Sequence, residues 1–155
     1  MSHHRLHHLV ENLVRAGTDE RRIVAAVAEG KGNTPSAPRV LVAEDEPLTR
    51  MDVAAFLAEA GFEVCAEAMD GFQAVALAFR HAPDAIVMDA NMPRLNGLLA
   101  AERIRAVRDV PIVLLTGYDY GELVDRAFSI GVSAYIVKPY AEREVVDAVR
   151  AAIAA

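Results

Sequence analysis

Beyond residue 38, short apolar runs alternate with amphipathic helical stretches in a pattern that repeats five times. The runs Val40 to Ala43, Phe62 to Ala66, Ala85 to Met88, Ile112 to Leu115 and Ala134 to Val137 read as strands. Four of them are nearly continuous in apolar residues, as expected of parallel strands covered on both faces, while Glu63 interrupts the second and suits it to a sheet edge. Helical spacing is kept by Val53, Phe56, Leu57 and Ala60, by Phe72, Val75, Ala76 and Phe79, by Leu123, Ala127 and Ile130, and by Val145, Val146, Val149 and Ile153. A (βα)5 chain of this kind predicts an α/β fold, a doubly wound three-layer sandwich around a parallel five-stranded sheet.

Ahead of that pattern, residues 31–38 are rich in glycine, proline and small polar residues, which marks a linker. Residues 1–30 read as a helical hairpin. Leu6, Leu9, Val10, Leu13 and Val14 form one stripe, and Ile23, Val24 and Val27 follow Thr18, a suitable N-cap with Asp19 and Glu20 in the first turn. Two short helices cannot bury their stripes alone, so the hairpin is expected to pack on the main domain or on a second copy of the chain. The division expected is 1–30 extension, 31–38 linker and 39–155 main domain.

Composition narrows the setting. With 155 residues, 54% of them hydrophobic, the chain has the material for one globular domain with an appendage. Its one cysteine, Cys65, sits in an apolar run, is expected to be buried, and has no partner for an intrachain disulfide. No stretch approaches the ~20 apolar residues of a membrane span, and MSHHRLHH lacks a secretion signal's apolar core. A cytoplasmic protein without membrane contact is the expectation. The net charge of −6 disfavours direct nucleic-acid binding, which rests on clustered Lys and Arg. Residues 1–38 carry one net positive charge, so the negative charge is concentrated in the main domain.

In a doubly wound fold the ligand site lies at the carboxyl ends of the strands. Those ends carry Glu44 and Asp45 after the first run, Asp89 after the third, Thr116 after the fourth and Lys138 with Pro139 after the fifth. Two carboxylates ~4 Å apart repel by about 4 kcal/mol at an effective dielectric near 20, so three together call for a cation or a proton. Mg2+ fits an all-oxygen site that also receives phosphate. Asp89 can then serve as nucleophile toward phosphorus, with Lys138 and Thr116 stabilising the equatorial oxygens. Each residue has a plainer alternative when taken alone: a turn signal for Glu44 and Asp45, a loop cap for Asp89, a helix cap for Thr116, a solvated lysine for Lys138. None of these explains why four of the five strands end in complementary groups.

Four motifs in order then carry a resemblance: Val40-Leu41-Val42-Ala43-Glu44-Asp45-Glu46-Pro47, Ile86 to Gly97 around Met88-Asp89-Ala90-Asn91-Met92-Pro93, Leu114-Leu115-Thr116-Gly117, and Gly131 to Tyr140 ending in Val137-Lys138-Pro139-Tyr140. Residues 39–155 resemble a response-regulator receiver domain of two-component signalling over their whole length, which implies the flavodoxin-like variant of the fold. By that resemblance Asp89 takes phosphate from a phosphohistidine on a sensor histidine kinase or phosphotransfer protein. Magnesium is held by Glu44, Asp45, Asp89 and the Asn91 carbonyl, Thr116 and Lys138 contact the phosphoryl group, and the peptide before Pro139 is cis. Thr116 and Tyr135 would form the switch. The resemblance implies a phosphoprotein that relays a signal and takes part in its own phosphotransfer and slow dephosphorylation, rather than a turnover enzyme.

Several positions refine the expectation. Gly117 leaves the site open, and the bulk of Tyr118 is expected to limit attacking water. Tyr140 stands where many relatives carry phenylalanine. The extra material is N-terminal, so output is expected through contacts with a downstream protein or through a homodimer, with no output domain in this chain. His3, His4, His7 and His8 have i, i+4 spacing that can ligate zinc or nickel, although a solvated terminal tract is the plainer reading. A flavodoxin-type cofactor binder would need a phosphate-cradling loop where Glu44-Asp45-Glu46-Pro47 stands. A metal-dependent phosphohydrolase would want a second acid near Asn91.

Overall fold

A computed structural model describes residues 36–117 and 121–155. The expected N-terminal hairpin, the His tract, most of the linker and Tyr118 lie outside the described residues. The elements run β1 (Arg39–Ala43), α1 (Pro47–Glu59), β2 (Glu63–Ala68), α2 (Gly71–His81), β3 (Ala85–Asp89), α3 (Gly97–Arg105), β4 (Ile112–Thr116), α4 (Gly121–Ile130), β5 (Ala134–Val137) and α5 (Glu142–Ala154). The five strands form one parallel sheet in the order β2-β1-β3-β4-β5. No helix among the described residues is long and apolar enough to cross a membrane.

Strand alternation divides the interior in two. Leu41, Ala43, Ile86, Met88, Ile112 and Leu114 face a core completed by α2, α3 and α4, while Val40, Val42, Val87, Val113 and Leu115 face α1 and α5. Because both faces are covered, the central strands need apolar residues at every position, which is why they stood out as continuous runs. The chain leaves β1 toward β2 on one side and reaches β3 on the other. The topological switch point therefore lies between the carboxyl ends of β1 and β3.

Three expectations require correction. The second strand runs to Ala68 rather than Ala66, with Glu67 exposed on the sheet edge, so the polar residue that seemed to end it points to solvent. Cys65 is an extra residue in its register, between Val64 and Ala66, and is half-buried rather than buried. Burial nonetheless pushes its thiol pKa up. On α2 the buried face is Gly71, Ala74 and Ala78, whereas Ala76 is exposed and Phe72 is 45% exposed. The cause is close packing: a Cβ on Gly71 would run into the backbone of Leu95, so small residues face inward and the aromatic ring turns out. There Phe72 lies under the guanidinium groups of both Arg94 and Arg103. The helix α3, for which no apolar stripe had been singled out, buries only Gly97, Ala100, Ala101 and Ile104.

Candidate functional site

Each strand-end residue is placed by the loop that follows it. After β1, Glu46 caps α1 by accepting from the Leu48 N–H at 3.2 Å, and Pro47 occupies the first helical turn, where its missing N–H costs nothing. That leaves Glu44 and Asp45 as the two-residue link between strand and helix. The Glu44 N–H donates to the Ala68 carbonyl at 2.9 Å, and its own carbonyl accepts from Arg50 Nη1 at 2.9 Å. Glu44 is only 5% exposed, while Asp45 is open to solvent.

Asp89 is the last residue of β3 and is also 5% exposed. The loop beyond it folds back tightly, with the Gly97 N–H donating to the Ala90 carbonyl at 2.8 Å. Any side chain at Gly97 would strike the Asp89 carbonyl. The Asp89 Oδ1 accepts from the Asn91 N–H at 3.1 Å, so the loop-capping role expected of an aspartate here is present alongside any other. A further anchor comes from Asp70, a buried carboxylate that accepts from the Gln73 N–H at 2.8 Å and faces Arg94 Nη1 at 3.6 Å. Arg94 belongs to the Asp89–Gly97 loop and has a φ of 68°, in the left-handed region.

The three carboxylates converge. Glu44, Asp45 and Asp89 each offer an oxygen within 4.8 Å of the others. Lys138 Nζ reaches 3.3 Å from Asp89 Oδ2 and 3.9 Å from Glu44 Oε1. The Lys138–Pro139 peptide is cis, as expected, and the Lys138 N–H donates to the Thr116 carbonyl at 2.7 Å. Thr116 is buried at the end of β4. It shares with Asn91, Leu114 and Tyr135 the lining of a cavity of about 220 Å3. An added Cβ at Gly117 would meet no atom within 4 Å, so the small residue there does leave open space.

Electrostatics follow from this geometry. Burial, then the hydrogen bond and charge of Asp89, and less strongly Asp45, push the Glu44 carboxyl up to about 8, with Lys138 opposing them. The Tyr140 phenol is likewise held above its ordinary value, first by burial and then by the negative charges of Glu44, Asp89 and Asp52. Three carboxylates against one ammonium leave an excess of negative charge, and all three donors are hard oxygens. The set fits a divalent cation of the Mg2+ type, which prefers oxygen ligands and keeps several waters.

All seven residues expected at the site lie at this end of the sheet, with Tyr135 entering through the cavity beside Thr116. Arg50 and Asp70 were not anticipated. For Arg50 a signal was there: it sits at i, i+3, i+7 with Val53 and Leu57, so a cation lies on the buried stripe of α1. Asp70 carries the ordinary signature of an N-cap ahead of an apolar helix.

Residues 40–150 match the family model described as the response regulator receiver domain. The transcriptional regulatory protein PdtaR of Mycobacterium tuberculosis is 47% identical over 115 residues, which is 74% of this chain and 56% of that protein. The chain thus spans little more than half the length of that relative. Among solved structures, the signal receiver domain of the response regulator NarL from M. tuberculosis superposes with a TM-score of 0.74 at 30% identity, covering 77% of this chain and 98% of that one. The receiver domain of a sensor histidine kinase from Pseudomonas aeruginosa, solved with a magnesium ion coordinated in its active-site cleft, superposes with a TM-score of 0.69 at 31% identity, covering 77% and 99%. The strand order, the acidic cluster at the switch point and the family match over residues 40–150 together make this chain a member of the response-regulator receiver family.

Proposed function

We propose that this chain is a phosphoacceptor of a two-component or phosphorelay system, in which Mg2+-dependent phosphorylation of Asp89 switches protein–protein contacts. The observation that carries the reading is the approach of Lys138 Nζ to 3.3 Å from Asp89 Oδ2 inside a cluster of three carboxylates. Glu44, Asp45, Asp89 and the Asn91 carbonyl would hold the cation. When bound, it offsets the negative charge that would repel an anionic donor and stabilises charge on the phosphoryl oxygens.

The chain's own groups do the rest. An Asp89 oxygen forms the new O–P bond as the N–P bond of the donor phosphohistidine breaks, and the donor imidazole leaves with that electron pair. The Lys138 ammonium, already beside Asp89, and the Thr116 hydroxyl stabilise the equatorial oxygens. As Thr116 turns toward the phosphoryl group it vacates space in the cavity it shares with Tyr135, and the ring rotates inward. Driving a two-state equilibrium from 1:99 to 99:1 takes about 5.5 kcal/mol of differential stabilisation. A few charge-assisted hydrogen bonds to phosphate are of that order.

The partners in this reading are a sensor histidine kinase or phosphotransfer protein upstream and a protein target downstream, with a second copy of the chain as a further partner. The module acts in the cytoplasm as a signalling switch without catalysing turnover of a separate substrate. Incubation with Mg2+ and acetyl phosphate, followed by intact mass measurement, tests it: the wild type gains one phosphoryl group and Asp89→Asn gains none. Equal labelling of Asp89→Asn would move the site elsewhere.

A further inference from the structure

We propose that Arg50 is a positioning residue for the divalent-cation site, holding the backbone that presents Glu44 and Asp45 and itself held by Glu67. This rests on the reading of Glu44, Asp45 and Asp89 as magnesium ligands.

Arg50 lies on α1 facing the end of the sheet, and its side chain is only 15% exposed. Its guanidinium divides between two directions. Nη1 donates to the Glu44 carbonyl at 2.9 Å, and Nε faces Glu67 Oε1 at 3.5 Å. On its other side, the Glu44 N–H donates to the Ala68 carbonyl at 2.9 Å. The peptide groups flanking the Glu44 Cα are therefore tied both to α1 and to the end of the edge strand β2. With its backbone pinned at both ends, Glu44 has little freedom to swing its carboxylate out of the site, and Asp45 follows immediately.

Pinning has a physical purpose here. Three carboxyl groups with oxygens within 4.8 Å of one another repel once all are ionised, the state that binds a cation, and a two-residue link between strand and helix would relax by moving them apart. A cation then would have to reassemble its ligands on binding, at the expense of affinity. Arg50 suits the task because a planar guanidinium can serve two acceptors at fixed angles, which an ammonium cannot. Glu67 gives it a second purpose. By engaging Nε it keeps the guanidinium turned toward the backbone, away from the Glu44 and Asp45 carboxylates, where it would compete with the incoming ion.

Calorimetric titration of the full chain with Mg2+ alone tests this, using wild type, Arg50→Gln, Glu67→Gln and the double variant. Outer partners of metal ligands typically contribute ~10–100-fold in metal affinity. Arg50→Gln is expected to weaken binding about tenfold, at the low end of that range because it acts through the backbone. Glu67→Gln weakens it less, and the double variant is no worse than Arg50→Gln, because both residues act through one hydrogen bond. Amide NMR of the metal-free variants should show changes confined to the neighbourhood of Glu44, Asp45 and Ala68, and raising the magnesium concentration should restore acetyl-phosphate labelling. Should Arg50→Gln fail to fold, Glu67→Gln alone decides, since its carboxylate is half exposed. A wild type that binds no magnesium would overturn the metal reading and this inference together. A wild type that binds, with Arg50→Gln and Glu67→Gln binding equally well, would overturn this inference alone.

Discussion

Lys138 and Asp89 stand at the ends of two strands that do not touch, since β4 lies between β3 and β5, yet their charged atoms meet at 3.3 Å. The pair spans β4 at the mouth of the sheet, at the same end as Glu44. It makes Lys138 the internal counter-charge of the cluster, with 3.9 Å to Glu44 Oε1 as its second contact.

That position separates two roles that one substitution can distinguish. Lys138→Met removes a cation from beside the carboxylates, so Mg2+ should bind at least as tightly as before. Phosphoryl transfer loses a preorganised charge and should slow by about 10²–10³-fold, as when an oxyanion-stabilising donor is removed. Parallel magnesium titration and acetyl-phosphate labelling check this. A large loss of magnesium binding would show that the lysine instead holds the cluster together.

Stability of the metal-free protein should depend on pH through Glu44. Its carboxyl is pushed up to about 8 from an ordinary value of 4.5, so between these values the folded chain holds a proton that the unfolded chain has lost. The stabilisation from this group is complete below about 4.5 and fades as pH rises through 8. Urea unfolding in a chelator should therefore show lower stability at pH 8 than at pH 6. Glu44→Gln should flatten that slope, and added Mg2+ should offset it by favouring the ionised carboxylate. A slope unchanged in Glu44→Gln would place its origin elsewhere.

Asp70 and Arg94 differ in burial, and their substitutions should differ accordingly. Asp70→Ala removes the N-cap of α2 and leaves the Gln73 N–H without that acceptor, a loss of about 1–2 kcal/mol. Arg94 is 70% exposed, so its ion pair with Asp70 contributes at most ~1 kcal/mol. Urea denaturation of Asp70→Ala and Arg94→Ala should preserve that order, and the reverse order would contradict it.

Tyr135 can be made to report on the switch. The chain has no tryptophan, so Tyr135→Trp introduces a single tryptophan beside Thr116, which can be excited selectively over the remaining tyrosines. Its emission should change when Asp89 is phosphorylated and stay constant in the Thr116→Ala background. Emission indifferent to phosphorylation would detach Tyr135 from the readout.

Much of the architecture was legible because central parallel strands must be apolar on both faces, so Val40 to Ala43, Ala85 to Met88 and Ile112 to Leu115 announce themselves. The strand-end rule then located the acidic pair, Asp89, Thr116 and Lys138 without side-chain coordinates. Legibility failed where packing is close or half-exposed. Phe72 looked like a core residue, but Gly71, Ala74 and Ala78 let α2 approach its neighbours and leave the ring outside. The α3 stripe is mostly alanine and carried little apolar signal. Glu67 disguised the end of β2 because an edge strand tolerates charge on its open side. Arg50 was passed over for a different reason: its partner is a backbone carbonyl, and no residue type in the sequence advertises that.

Borohydride reduction of the phosphorylated chain, followed by peptide mass sequencing, tests the central claim most directly, because an acyl phosphate on aspartate is reduced to homoserine. After treatment with acetyl phosphate and Mg2+, homoserine is expected at position 89 and at no other carboxylate. Homoserine at position 45, 5-hydroxynorvaline (the reduced form of a glutamyl phosphate) at position 44, or an Asp89→Asn chain that still acquires either product, would contradict the assignment of Asp89 as the phosphoryl acceptor.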